Sequence, residues 1–240
     1  MQRNAALAGP VPGMEGVGEA VRTGKTIRLI APVLNDSLSR RMTYVLQTLV
    51  AHYDRPELED CLHSCLVELA TNASRANMKH AFFLDRRVDR ENPTEYSRGL
   101  AEFRASREHA GWHQALRTRA KELGLYLEIV FRHSPDGLRI EVINNLALLP
   151  QDEQRIREKM GSAMRTVDIF DFFTEHGDDT EGQGLGFAMN VLFLRSENID
   201  PSLLRIGSTS DRTVARLEVP LSRDFVALRS SRSAQSAISA

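Results

Sequence analysis

Residues 61–80, CLHSCLVELATNASRANMKH, constrain this chain more than any other stretch. Leu62, Cys65, Leu66, Leu69, Ala73 and Ala76 recur at steps of three and four, the mark of a helix with one buried face. Glu68 and Asn72 stand four apart, so they stack on one side of that helix. A carboxylate and a carboxamide in that relation can hold a divalent ion, or a water, over a bound phosphate. The plainer alternative is a polar edge on an ordinary packed helix.

The 240 residues (26.9 kDa) suit one domain with an insertion, or a domain with tails, and are enough to bury a real core. A formal charge of -1 and a pI near 6.7 give no bulk electrostatic reason to expect nucleic acid as a partner. No stretch approaches the length of an apolar membrane span, and residues 1–20 lack the apolar core of a signal peptide, so a cytoplasmic protein off the membrane is expected. Cys61 and Cys65 lie one helical turn apart with no metal-ligand set beside them, which predicts buried thiols.

Residues 1–24 are Gly/Ala-rich with two prolines and are expected to form a disordered tail. Residues 25–32 (KTIRLIAP) predict a first strand. Asn35, Asp36 and Ser37 then offer caps for a helix to about His52, with Leu38, Met42, Val45, Leu46 and Leu49 on its apolar side. Asp54-Arg55-Pro56 breaks it, and Pro56 opens the central helix, which continues to about Phe83. Across residues 84–122 basic residues interleave with acids and small residues, while Tyr96, Leu100, Phe103, Trp112, Leu116 and Ala120 keep helical spacing. This predicts a long helical insertion or a pair of helices, its charges forming a solvated face or a docking surface.

Residues 125–132 (LYLEIVFR) and 138–144 (LRIEVIN) alternate apolar and polar around His133-Ser134-Pro135-Asp136-Gly137, a strong hairpin signal. A polar helix over 150–164, a short aromatic segment at 167–173 and a run with little regular pattern at 174–181 follow. Gly182-Gln183-Gly184-Leu185-Gly186 then leads into an apolar helix from Phe187 to about Arg195. Residues 203–208 and 214–220 predict another hairpin, and residues 222–240 a second disordered tail.

Glycines at alternate positions before a helix let the backbone approach an anion, while the helix start presents free N–H groups and a positive dipole end. Gly182, Gly184 and Gly186 fit that role, and a flexible hinge is the plain alternative. Their company is the order of parts: the helix with Glu68 and Asn72, a hairpin ending in a polar turn, a variable polar segment, then the glycines and an apolar helix. This layout resembles the Bergerat-fold ATPases, and among them the histidine-kinase-like ATPase domain, over residues 25–221 with the insertion at 84–122 unmatched.

The resemblance implies an α/β two-layer sandwich: a mixed, mainly antiparallel sheet with helices on one face. It implies ATP and Mg2+ as ligands. Glu68 would be the catalytic acid that orients or activates the attacking group, and Asn72 the magnesium-holding asparagine. Arg75 falls where the family often has a phosphate-contacting lysine, and Lys79, in the weaker near-match Asn77-Met78-Lys79-His80-Ala81, would face the ligand. Gly182, Gly184, Leu185 and Gly186 would close over the phosphates. Residues 150–181 would be the ATP lid, with Phe170, Phe172 and Phe173 as its aromatic box or as core aromatics.

The family's first glycine box, Asp-x-Gly-x-Gly, is replaced by Asn144-Asn145-Leu146-Ala147-Leu148-Leu149-Pro150. Asn144 can accept a hydrogen bond from an adenine amino group but also brings a donor. Leu146 and Leu148 would crowd the base pocket if the loop keeps the family's path. His52 and His63 are candidate phosphoacceptors by location only. The function implied is that of a stand-alone bacterial signalling protein, a kinase or ATPase that phosphorylates or sequesters a protein partner, with a homodimer compatible. The alternative is a nucleotide-free adaptor that keeps the fold as an interaction scaffold.

Overall fold

Asn35 starts the first long helix as its spacing requires: its side chain accepts from the Leu38 N–H at 3.0 Å, satisfying one orphan donor. In the computed structural model, which describes residues 11–165 and 183–228, helices α1 (Val17–Arg22), α2 (Asp36–His52) and α3 (Glu59–Asp85) precede α4 (Pro93–Ala105) and α5 (Trp112–Glu122). Helices α6 (Pro150–Arg165) and α7 (Gln183–Ser196) complete the described set. The strands are β1 (Ile27–Ala31), β2 (Leu127–Ser134), β3 (Gly137–Asn144), β4 (Leu204–Ser208) and β5 (Thr213–Pro220).

They form one five-stranded sheet in the order β1-β2-β3-β5-β4. All four pairings are antiparallel, where a mixed sheet was expected. Ile129, Val142 and Ala215 stand in register on one face, as do Phe131, Ile140 and Leu217, and these rows are buried against the helices. The opposite face carries charge pairs between neighbouring strands, Arg28 with Glu128 at 2.7 Å and Arg139 with Glu218 at 3.2 Å. The alternation in β2 and β3 therefore separates a helix-covered face from a polar one, and gives an α/β protein with an antiparallel sheet.

The helices divide the core in two. The N-terminal half of α3, with Leu62 and Leu66, packs with α1, α2, α7 and the sheet. Its C-terminal half, with Met78, Ala81, Phe82 and Phe83, packs instead against Tyr96, Phe103, Leu116 and Ala120 of the insertion. The insertion is thus a pair of helices with a core of its own, and Phe83 meets Tyr96 edge-on at 5.6 Å.

Both ends depart from the expected tails. Residues 11–24 are folded: Met14, Val17 and Val21 are buried in the main core, and the Arg41 Nε lies 3.3 Å from the Met14 sulfur. Three apolar side chains at helical spacing suffice for this, although Gly and Ala dilute the pattern around them. At the other end Leu221 N donates to Asp136 O at 2.8 Å, and Ser222 Oγ to Asp136 Oδ1 at 2.8 Å. Phe225 lies so close to Gly137 that a Cβ there would come within 2.3 Å of its ring, so residues 221–228 lie back on the β2–β3 turn. Residues 1–10 and 229–240 are outside the described residues.

The same turn carries a pH-dependent contact. His133 is bridged between the Tyr53 hydroxyl at 2.7 Å on Nδ1 and the Lys25 carbonyl at 3.1 Å on Nε2. The carbonyl can only accept, so Nε2 carries the proton and neutral Nδ1 accepts from Tyr53. Burial lowers the His133 pKa and His52 lowers it further, against the opposing pull of the Lys25 carbonyl. His80 is lowered too, by burial and by the cations of Arg90 and Lys79. Both folded pKa values thus lie below the unfolded value of about 6.5. As pH falls through that value the unfolded chain takes up protons first, so stability is full above it and declines toward the lower folded pKa. Urea midpoints are expected to be level between about pH 7 and 8 and to fall below about 6.5, with His133→Gln flattening part of the decline.

Candidate functional site

Along α3 the residues Leu69, Asn72, Ala73, Ala76, Lys79, His80 and Phe83 follow the helical repeat, and all of them line one cavity of about 170 Å³. Its other walls are the ends of β3, β4 and β5, the loop at 146–149, one face each of α4 and α6, and Phe187 of α7. That volume is of the order that admits one aromatic ring system.

At one end Asn72 Nδ2 donates to Glu68 Oε1 at 2.8 Å, and Arg75 Nη1 donates to Asn72 Oδ1 at 3.3 Å. A cation on one side and a carboxylate on the other fix which way the Asn72 amide points. The first turn of α7 abuts this pair. A Cβ at Gly186 would lie 2.1 Å from Glu68 Cδ and Oε1, so only glycine lets the helix start approach the carboxylate undisturbed. The helix begins at Gln183, so Gly184, Leu185 and Gly186 lie within it, where a loop ahead of the helix was expected. Gly182 and residues 166–181 of the expected lid, with Phe170, Phe172 and Phe173, lie outside the described residues.

Asn144 ends β3 with both amide hydrogens engaged. Its Nδ2 donates to Ala73 O and to Asn77 Oδ1, each at 2.8 Å, while Asn77 Nδ2 donates to Pro32 O at 2.8 Å. Backbone carbonyls at both ends of this relay allow one orientation only, since a flipped Asn144 would set two acceptors face to face. The donor that Asn144 adds relative to an aspartate is therefore spent inside the protein. What it can offer a ligand is Oδ1, an acceptor.

The loop after Asn144 takes an ordinary path. Among described non-glycine residues positive φ occurs only at Asp54, Arg87 and Asn198, so Leu146 and Leu148 need no glycine-like backbone. The loop is pinned by Thr213 Oγ1 to Leu146 O at 2.7 Å and by Leu148 N to Ser208 Oγ at 2.9 Å. Both leucines form cavity wall, and the space beside them stays open.

Lys79 also lines the cavity, but its ammonium is held by Tyr96 Oη at 3.0 Å and Asp152 Oδ2 at 3.0 Å, while the Tyr96 hydroxyl donates to Asp152 Oδ1 at 2.7 Å. Burial disfavours the charged lysine, yet Asp152 and Tyr96 outweigh it and raise its pKa. This knot joins α3 to α4 and α6. The spacing around Lys79 shows the face it occupies but neither partner.

Among the described residues Arg75, Lys79, Arg90, Arg104, Arg107, Arg155 and Lys159 border the cavity, together with the carboxylate of Asp152. The arginines of α4 and α6 are absent from the motif reading, although their spacing along each helix was a usable signal. His63 makes a 3.1 Å contact with Thr43 Oγ1, and neither it nor His52 borders the cavity. Cys61 and Cys65 are free and buried, as expected. Among the described residues no group of three or more His, Cys, Asp or Glu could hold a metal, and no helix is long and apolar enough to cross a membrane.

Fold and site together define an α/β protein with a cation-walled cavity between its central helix and the end of an antiparallel sheet. No protein-family model matches the chain, and no solved structure matches it significantly. An uncharacterized protein of Treponema pallidum (strain Nichols) is 29% identical over 207 residues, which cover 84% of this chain and 40% of that protein. The chain therefore spans about two-fifths of the length of this relative.

Proposed function

We infer that this chain binds ATP with magnesium, the adenine ring in the cavity and the phosphates at its Asn72 end, in the manner of a histidine-kinase-like ATPase domain, and acts in signalling on a protein partner. The observation that carries the reading is the contact of Glu68, hydrogen-bonded to Asn72, with Gly186 in the first turn of α7. It sets the Glu68 carboxylate against a helix start and beside Asn72, whose amide borders a cavity lined by several cations. Magnesium suits this donor set because it keeps most of its shell in water and phosphate oxygens and needs little from the protein. Asn72 would hold it, and its charge would offset that of the phosphates. Arg75 would steady the phosphates, and Glu68 would take the proton of an attacking hydroxyl or water. Asn144 favours adenine, whose amino group matches its one remaining acceptor, over guanine, which presents a carbonyl there.

A second reading is favoured by the loop: with Leu146 and Leu148 in place of glycines, the chain works as a nucleotide-free scaffold whose leucine-lined cavity forms part of a protein-binding surface. Thermal unfolding with ATP and magnesium separates the two. At about 100 times Kd a ligand of the folded state contributes about 2.7 kcal/mol, a rise of several degrees for a chain of this size. The rise is expected with ATP, smaller with GTP, and absent in Asn72→Ala. A flat response of the wild type to every nucleotide gives the case to the scaffold.

A further inference from the structure

Three helices that wall the cavity are tied to one another by the knot at Lys79. Helix α4 of the insertion lends Leu100 and Phe103 to the wall, α6 lends Asp152 and Ile156, and α3 lends Lys79 itself. The Tyr96 hydroxyl of α4 donates to Asp152 Oδ1 at 2.7 Å, while Lys79 Nζ donates to Asp152 Oδ2 and to Tyr96 Oη, each at 3.0 Å. Each of the three groups is bonded to the other two. Helix α6 is anchored unequally along its length. Toward its C-terminus Ala163 is buried in the main core, Met160 and Met164 pack against that core, and Arg195 Nη2 donates to Met164 O at 2.6 Å. From 150 to 161 no described side chain of α6 is buried. Apolar packing thus secures the end of α6, while its first half, the part that meets the cavity at Asp152 and Ile156, relies on polar contacts. Segments with few buried apolar contacts are the ones that open locally.

We propose that Tyr96 is a latch through which the insertion controls access to the cavity. With its hydroxyl on Asp152, the first half of α6 stays wound over the ligand space, and a ligand enters and leaves through local unwinding of that half. The latch is closed in the empty and the occupied protein alike, so it sets the rates of entry and exit rather than the affinity. The insertion is the part of the chain that the ATPase layout leaves unmatched, and Tyr96 is held in it edge-on against Phe83 of α3, so a displacement of α4 is passed directly to the latch. The proposal rests on the ATP reading only in taking the cavity as the place where a ligand lies.

Tyr96→Phe tests this, because it keeps the ring against Phe83 and the Lys79–Asp152 pair and removes only the hydroxyl. Hydrogen exchange on the ligand-free full chain is expected to be roughly tenfold faster in the variant at amides 154–161, the scale of one hydrogen bond to a charged group, and unchanged at amides 42–50 of α2. Stopped flow with magnesium and ATP carrying a methylanthraniloyl group on its ribose is expected to show association and dissociation faster by a similar factor, with Kd the same to within about twofold. Equal exchange at 154–161 in wild type and variant would overturn the latch. Exchange raised alike at both places is global unfolding and would overturn it too, as would a changed Kd with an unchanged association rate. A wild type that takes no nucleotide, with faster exchange at 154–161 in the variant, would sink the ATP reading and leave the latch standing over a cavity for another ligand. Should Tyr96→Phe lack a cooperative transition, Asp152→Asn, in the first turn of α6, is read by the same criteria.

Discussion

On the ATP reading proposed above, Glu68→Gln is expected to lower turnover by a factor on the order of 10² to 10⁴, the range of a lost general base, while leaving the rise in melting temperature that this reading expects with ATP in place. The geometry makes this a clean substitution. Glu68 Oε1 accepts from the Asn72 amide at 2.8 Å, and a glutamine oxygen accepts in the same way, so Asn72 keeps its orientation. The side chain keeps its length, so the fit against Gly186 is also preserved. Only the capacity to take a proton is lost. Phosphate release from ATP, or label transfer to a protein partner, measures it. Turnover equal to that of the wild type would make Glu68 a packing residue.

The largest effect on stability is expected from Phe83→Ala, at about 3 to 5 kcal/mol. Phe83 is among the largest fully buried side chains, and it packs on Tyr96 and against the backbone at Gly99. Gly99 has no side chain with which to fill the void, so relaxation is limited and the cavity term adds to the lost transfer energy. The damage spreads to the site, because Tyr96 would lose its support and its hydroxyl completes the hold on Lys79 and Asp152. Against a total of roughly 5 to 15 kcal/mol, such a loss leaves a marginal protein. Urea unfolding provides the measurement. A cost below about 1 kcal/mol would mean that the rings between α3 and the insertion do not form a packed core, and Phe83→Leu should recover most of the loss.

Local features of the sequence were legible because their causes are local. The Asn35 cap, the apolar face of α3 and the hairpin before Asn144 each depend on residues within one or two turns of one another, and the structure has all three. Pairings across the chain were not legible. Lys79 meets Tyr96 and Asp152, 17 and 73 positions away, and no spacing rule encodes such a meeting. The relay from Pro32 through Asn77 to Asn144 is equally remote, and it alone shows that the amide hydrogens of Asn144 are engaged. The first folded helix was hidden for another reason: Met14, Val17 and Val21 sit among glycines and alanines whose composition suggests disorder. The glycines before Phe187 read as a loop because glycine weakens helices, a preference that packing against Glu68 overrides here.

The divided burial along the longest helix has a use outside this chain. The rings at positions 82 and 83 are shielded by α4 and α5, so a homologue that dispenses with those two helices must also repaint this part of its own α3 with hydrophilic side chains. The two traits should be gained or lost together. A homologous sequence can then be sorted by a glance at two adjacent letters: bulky aromatics there foretell the extra helical pair, and charged residues foretell a bare, shorter rod.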